Sequence, residues 1–548
     1  MATVSRAVLD EAHVGDIHGA LGTIRVDDTG ARNTLSGKLK TLLAVVGPGL
    51  IVMIGDNDAG AFSTYGQAGQ NYGTRLLWTL LLLIPVLYVN QEMVLRLGAV
   101  SGVGHARLIL ARFGKFWGAF SVIDLFLLNA LTIITEFIGI TLAAGYLGVP
   151  KVIAVVAAAV IIVASAFTGS FRRFERIAIT FCAGSLLLIP LYFITHPSVS
   201  SMAHGFVVPG LPGGRGQLAT VMLLVIGIVG TTVAPWQLFF QQSYVIDKRI
   251  TPRFMKYEKA DLWLGIVVAI VGAAVVMGVT AAAFAHSGAA GHFTDSAGLA
   301  HGIAAYAGHA AGVIFAIALL DASVIGAFAV SLSSAYAISD VVGLNHSLHR
   351  GIGQAKGFYA VYAALIGGAA AIVLIPGAPL GLFTEGVQVL AGVLLPSATV
   401  FLLLLCNDRE VLGPWVNGRK TNMFTGSVVA ILVTLSVVLT ASVLFPSITA
   451  TQILWLVAAC AAAALLGGGG MLVRRHLRRP SETIAEAMAE DAADMADRDS
   501  WRMPPLSELS APDVSGLRKA GLAALRGYLF ASMILVIVKI VEVAVAAH

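Results

Sequence analysis

The amino-acid sequence predicts an all-α integral membrane protein. It reads as a five-plus-five inverted repeat of transmembrane helices with broken helices 1 and 6, followed by additional C-terminal helices. Three observations lead there. Of 548 residues, 57% are hydrophobic and only 12% charged, at mean hydropathy +0.85, whereas a soluble domain carries about 25% charged residues. Long apolar runs recur from Leu42 to Val473, which excludes a soluble enzyme with one oily helix. Two of these runs are interrupted at mid-depth, at 55–60 and at 227–237, by residues that a lipid-facing helix does not tolerate.

Taken in order, residues 1–40 lack the basic region and apolar core of a secretory leader, and read as a flexible cytoplasmic tail. A spanning helix needs about 20 apolar residues. Twelve stretches of the transport domain at 41–475 meet that requirement: 41–70, 74–98, 116–146, 150–169, 174–194, 217–245, 260–285, 311–338, 357–376, 383–405, 423–445 and 452–473. With the N-terminus in the cytoplasm, the inner loops hold Arg107, Arg112 and Lys115, then Arg172, Arg173 and Arg176, then Lys248, Arg249, Arg253 and Lys256. Further along they hold Arg350 and Lys356, Arg409, Arg419 and Lys420, and Arg474, Arg475, Arg478 and Arg479. The outer segments keep only Arg75, Lys151 and Arg215. This asymmetry satisfies the positive-inside rule, and one miscounted helix would invert every later loop. Residues 476–520 are polar and acidic (Glu482, Glu486, Glu490, Asp491, Asp494, Asp497, Asp499) and read as a cytoplasmic linker. The apolar stretch 521–548 carries Arg526, Lys539 and Glu542, and composition allows it either to span or to lie in the interface.

The interruptions carry the chemistry. GDNDAG at 55–60 puts two carboxylates inside an apolar run, and GIVGTTVAPWQ at 227–237 puts glycines and a proline inside another. Glycine weakens a helix and proline removes a donor. Freed carbonyls at membrane depth persist only where they line a protein cavity. Paired breaks at matching places in two repeats predict a substrate site between them at the bilayer midplane. Asp58 supplies an anionic oxygen there, and an intramembrane ionisable group is a functional candidate by default. Unwound backbone near Ala61 and Thr231 can add carbonyl oxygens, Gln388 an amide oxygen and Glu136 a second carboxylate. Asp56 stands two residues from Asp58, so the two share no helical face. It either lines the unwound pathway or is an outward-facing or hydrogen-bonded group. Asn129, Thr132 and Glu136 share one face at i, i+3, i+7. Glu136 on that face holds an ion, acts through water, or caps a polar network. Asp124 and Asp321 read as hydrogen-bonded interior groups, and Glu92 with Arg96 as a local ion pair. His286, His292, His301 and His309 lack metal-ligand spacing and read as solvated loop residues. Cys182, Cys406 and Cys460 form no close-spaced pair, so neither a disulfide framework nor a zinc motif is expected. GGGG at 467–470 has no phosphate-loop lysine.

At these motifs the chain resembles the Nramp family of divalent metal transporters, over roughly residues 40–475. GPGLIVMIGDNDAGAFST at 47–64 matches the family's first-helix GPxx…DPGN pattern, with Asp58 and Gly60 on its aspartate and glycine. TTVAPWQ matches the sixth-helix Met-Pro-His motif through Pro235. RLGAVSGVGHA at 96–106, TEFIG at 135–139 and the Gln388 to Pro396 spacing follow in family order. The resemblance implies a LeuT-type fold. The departures are specific. Ala61 stands for the motif asparagine, Ala234 for the methionine, Trp236 for the histidine, Gln241 for a second histidine, and Ile133 for a third-helix aspartate. This set is similar to the Nramp-related magnesium transporter branch, which implies Mg2+ and Mn2+ transport without proton coupling.

The expectation is a divalent metal ion transporter, not an enzyme, moving Mg2+ and also Mn2+ by alternating access as bound substrate, with no cofactor. The metal set is Asp58, Ala61, Thr231, Ala234, Gln388 and Glu136. Asp56, Asn129, Trp236 and Gln237 line the pathway or gate it. A sparse oxygen set suits Mg2+, which keeps several waters and binds through one or two carboxylates. Losing a thioether at Ala234 removes a preference for softer metals. The site is expected to be roomy enough for a partly hydrated ion. Trp236 and Ile133 leave no titratable relay for protons. The alternatives are a proton-coupled Mn2+/Fe2+ importer and an organic-solute carrier on the same fold. The partners expected are the metal ion and the lipid bilayer, with no nucleic acid and no partner protein. The chain is expected as a monomer, multi-pass in a bacterial cytoplasmic membrane with its N-terminus cytoplasmic.

Overall fold

The computed structural model describes residues 11–210, 212, 218–376, 380–444, 448–477 and 498–510, and positions 521, 523–528, 530 and 534. Most of the expected acidic linker, and the expected last helix over most of its length, lie outside the described residues.

The bundle is almost wholly helical. The expected first span is three helices: α1 (Leu35–Val45), α2 (Pro48–Gly55) and α3 (Ala59–Tyr72), with a 51° bend between α1 and α2. Then come α4 (Trp78–Ser101), α5 (His105–Phe113), α6 (Lys115–Tyr146), α7 (Lys151–Ala166), α8 (Phe171–Cys182) and α9 (Leu188–Thr195). A 3-10 turn joins the last two into one span, Phe171–Thr195. After α10 (Val199–Val207), the second repeat opens with another interrupted span, α11 (Leu218–Thr232) and α12 (Pro235–Asp247). It continues with α13 (Met255–Phe284), α14 (Ser296–Ala307), α15 (His309–Val342), α16 (Lys356–Val373) and α17 (Leu380–Leu405). Beyond α18 (Arg409–Leu412), α19 (Arg419–Leu444) and α20 (Ala450–Leu477) are the additional helices. Among the described residues, nine helices are long and apolar enough to cross a membrane, or ten if the bent α1–α2 pair counts as one span.

The broken helices sit in the middle. The two halves of the second broken span are buried along most of their length. α6 and α15 pack along each other more extensively than any other pair and flank the breaks. Glycine permits the closest approaches. Gly230 of α11 lies against Gly392 of α17 so tightly that a Cβ on Gly230 would stand 2.8 Å from the Gly392 Cα.

The N-terminal segment departs from the expected flexible tail. A short antiparallel hairpin, β1 (Ile17–Gly19) and β2 (Gly22–Ile24), docks on the last turn of α1 at Ala44. Its stabilising partners come from loops distant in sequence. Arg172 and Arg176 donate to the Gly19 and Ala20 carbonyls at 3.2 and 3.0 Å, and Arg249 to those of Ala12 and Asp16 at 2.9 and 3.1 Å. Arg253 donates to the Gly30 carbonyl at 2.9 Å. The Ala20 N–H donates to Glu175 at 2.6 Å, and Glu175 is paired with the buried Lys248 at 2.7 Å. The same face joins Arg112 to Asp408 and Glu410, and Arg96 to Asn417. The predicted inner loops therefore do meet on one face, together with the N-terminus. Residues 498–510, expected as linker, dock there too: the Trp415 indole donates to the Arg498 carbonyl at 2.7 Å.

Candidate functional site

Both breaks follow from local chemistry. α2 stops at Gly55, and Asp58 starts α3 as its N-cap, accepting from the Ala61 N–H at 2.8 Å. A carboxylate is a preferred N-cap and favours the positive end of the helix dipole. The unwound residues are therefore Asp56 to Asp58. Ala61, expected in unwound backbone, lies instead inside regular helix, because the Asp58 cap starts the helix two residues earlier. At the second break Pro235 begins α12, where its missing N–H costs nothing, leaving Val233 and Ala234 between helices.

Asp58, Glu136 and Gln388 are brought together. Glu136 of α6 accepts from the Ala59 N–H at 3.1 Å, and its carboxyl lies beside Asp58. Gly326 of α15 closes the site: a Cβ there would lie 2.8 Å from both the Asp58 Cβ and the Glu136 carboxyl carbon. Gly60 leaves space for the Gln388 amide, and a Cβ on Gly60 would stand 3.2 Å from Asp58 Oδ1. Among the described residues, Glu136 Oε1, Gln388 Nε2 and Thr231 Oγ1 are buried without a hydrogen-bond partner. Orphaned polar atoms of this kind are costly unless a ligand or water meets them. Thr231, also expected in unwound backbone, lies instead in the last turn of α11, because the helix runs on to Thr232 and only Val233 and Ala234 fall between helices; Thr231 and Ala234 are both buried.

Asp56 belongs to a separate set. Gln237 of α12 donates to it and to the Thr232 carbonyl at 3.4 Å, and Gln91 of α4 donates to Gln237 at 2.8 Å. This chain of amides ties the two breaks together. Asn57 donates to the Ala269 carbonyl at 2.9 Å. Trp236 is packed: its ring edge stands 3.6 Å from where a Gly55 Cβ would be, and Ser333 donates to its carbonyl at 2.9 Å. Asn129 donates to Ser334 at 2.9 Å and joins α6 to α15. Asp124 is buried, and Asp321 faces Gly184 at the side of the bundle. Glu92 pairs with Arg96 at 3.2 Å as expected, and with Lys259 at 2.9 Å. His301 and His309 pack on Tyr146, 4.9 and 6.4 Å between ring centroids.

Sequence reasoning missed Gly326 and Gln91. A small residue in an apolar helix is a faint signal, and the amide pair Asn90-Gln91 in mid-span is a stronger one. Among the described residues no three His, Cys, Asp or Glu side chains are grouped to hold a metal ion. A cation here would meet two carboxylates, an amide and water.

The comparisons agree with this architecture. The profile of the family described as "Natural resistance-associated macrophage protein-like" (Nramp) matches residues 49–442. The chain is 29% identical over 415 residues to the "Divalent metal cation transporter MntH" of Ralstonia nicotianae, covering 72% of this chain and 89% of that one. It is 27% identical over 446 residues to the MntH of Chromohalobacter salexigens, covering 76% and 95%. Its fold is that of the solved Eremococcus coleocola manganese transporter, with TM-score 0.61 at 18% identity, covering 87% of this chain and 99% of that one. With its profile match running from α2 into α19, this multi-pass membrane protein belongs to the Nramp family.

Proposed function

We propose that this protein moves divalent cations across the membrane by alternating access, Mg2+ foremost and Mn2+ also, with the cation as substrate at Asp58. The family is one of membrane metal transporters, not enzymes. The observation that carries the reading is a buried carboxylate at the first break, with a second carboxylate beside it and unpartnered polar atoms, among the described residues, next to both. Removing a cation's whole hydration shell needs about six to eight protein oxygens for Ca2+, while Mg2+ is held by one or two carboxylates plus water. The sparse set here suits the latter. Ala234 offers no thioether, so softer ions gain nothing at that position. Trp236 offers no titratable ring, which favours transport uncoupled from protons. The sharing of one face by the arginine-rich segments and the N-terminal hairpin supports a cytoplasmic N-terminus.

One observation favours the second reading, a proton-coupled Mn2+ importer. Asp58 and Glu136 are buried side by side, and like carboxyls so close favour sharing a proton that a dication would displace. The relatives named as divalent metal cation transporters point the same way. Uptake of Mg2+ and Mn2+ into liposomes, with and without a pH gradient and with internal pH monitored, separates the two. Mg2+ uptake without acidification, abolished in Asp58→Ala, is the expected result. Stoichiometric acidification would establish the second reading. Ala234→Met is expected to shift preference towards Mn2+, and an unchanged preference would remove the softness explanation.

A further inference from the structure

A cleft leads towards the carboxylate pair from the face opposite the N-terminus. Ala59, whose N–H is bonded to Glu136, lies at its deep end beside Gly139. The hydroxyl residues Ser63, Thr135 and Thr384 line it, and its one charged lining residue is Asp295, in the segment between α13 and α14. Asp295 is half-buried. It caps α14, accepting from the Gly298 N–H through Oδ1 at 2.8 Å, and among the described residues Oδ2 makes no hydrogen bond or ion pair.

We propose that Asp295 is the capture carboxylate of the cation pathway, drawing divalent cations into this cleft and lowering the concentration needed for half-maximal uptake. The inference rests on the transport reading and on this face being the entry side. In the connecting segments of that face, 70–77, 146–150, 196–210 and 285–308, Asp295 is the sole carboxylate. Arg75 and Arg215 are the counter-charges of that face, with Lys151 at its edge, and Glu385, which follows the lining residue Thr384 in sequence, is a second acid there. A single anionic group beside low-dielectric walls focuses the field along the cleft and raises the local cation concentration. Capping alone does not require the charge, since asparagine and serine cap as well as aspartate. Unlike the buried pair at Asp58, Asp295 keeps water access, so a cation arrives there without losing its hydration shell.

Two variants separate charge from cap in liposomes loaded for Mg2+ and Mn2+ uptake. Asp295→Asn keeps the cap and loses the charge. It is expected to raise half-saturation about fivefold with the maximal rate of the native chain. That difference shrinks at high ionic strength. Asp295→Glu keeps the charge and weakens the cap, and is expected to hold native half-saturation. Native half-saturation in Asp295→Asn would overturn the proposal. So would impairment confined to Asp295→Glu with a lowered thermal midpoint, which marks a cap and nothing more. A native chain that moves no divalent cation would overturn the transport reading and this inference with it. Native uptake lost in Asp58→Ala and unaltered in Asp295→Asn would overturn this inference alone.

Discussion

At the scale of single residues, the site depends on how two carboxyls are held. Asp58 does two jobs, capping α3 through the Ala61 N–H and facing Glu136. Asp58→Asn preserves the cap and removes the charge. It is expected to weaken cation binding by roughly 100-fold, about 3 kcal/mol, with the thermal midpoint close to native. Calorimetric titration of the detergent-solubilised chain measures it, and native affinity would displace the site from Asp58. Gly326 tests the packing. A Cβ there would press on Asp58 and Glu136 at 2.8 Å. Gly326→Ala is therefore expected to cost about 1–3 kcal/mol of stability and to suppress uptake. A variant that unfolds and transports like the native chain would show that α15 yields at this point. Asp58, Glu136 and Gln388 are legible in the sequence because each is polar in an apolar run. Gly326 is not, because its importance lies in an approach between helices separated by some 190 residues of chain (Gly326 against Glu136).

At the scale of elements, both breaks are legible because glycine, proline and aspartate conflict with a lipid-facing helix. Their limits are less so: Ala61 falls on the helical side because capping decides where the helix starts. The N-terminal hairpin is not legible. Each strand has three residues, too few for a period, and its partners are arginines more than a hundred residues away. Gly47 shows how closely this region is built onto the inner end of α2. Its φ is 153°, and a Cβ would meet the Lys248 amine at 2.9 Å. Removing residues 1–24 would strip carbonyl partners from Arg172, Arg176 and Arg249 and a donor from Glu175. A lowered thermal midpoint is expected, and an unchanged one would mean that the docking contributes nothing. His346, on the same face, adds a pH dependence. Burial disfavours its charge, but Asp340 at 3.2 Å and the Leu344 carbonyl outweigh burial and raise it from 6.5 to about 9. A raised histidine stabilises fully below pH 6.5, and its contribution is lost as pH rises through about 9. The shift corresponds to about 3 kcal/mol. Thermal midpoints between pH 6 and 10 are expected to fall across that window in the native chain and to stay flat in His346→Gln, where equal slopes would remove the Asp340 pair from the account.

At the scale of the whole molecule, the charge distribution and the contacts give one topology. Basic segments predicted to share a face are joined there by hydrogen bonds and ion pairs, while the twelve expected spans become, among the described residues, nine helices long and apolar enough to cross, or ten with the bent pair. An inside-negative potential drives cations inward. Each elementary charge crossing gains about 2.3 kcal/mol per 100 mV, so about 60 mV supports roughly a tenfold gradient per charge. Uncoupled entry of a dication moves two charges and supports a gradient of roughly 100-fold. Entry with a proton moves three and supports roughly 1,000-fold at equal pH, while exchange for a proton carried by the carboxyl pair moves one and supports roughly tenfold. Liposomes clamped by a potassium diffusion potential, with internal free Mg2+ read at equilibrium, distinguish these cases by a power of ten each. The absence of an imidazole at Trp236 predicts the two-charge value. A one-charge value would mean that the carboxyl pair releases its proton to the far side as the cation passes, and Glu136→Gln, which has no proton to give up, would then restore two.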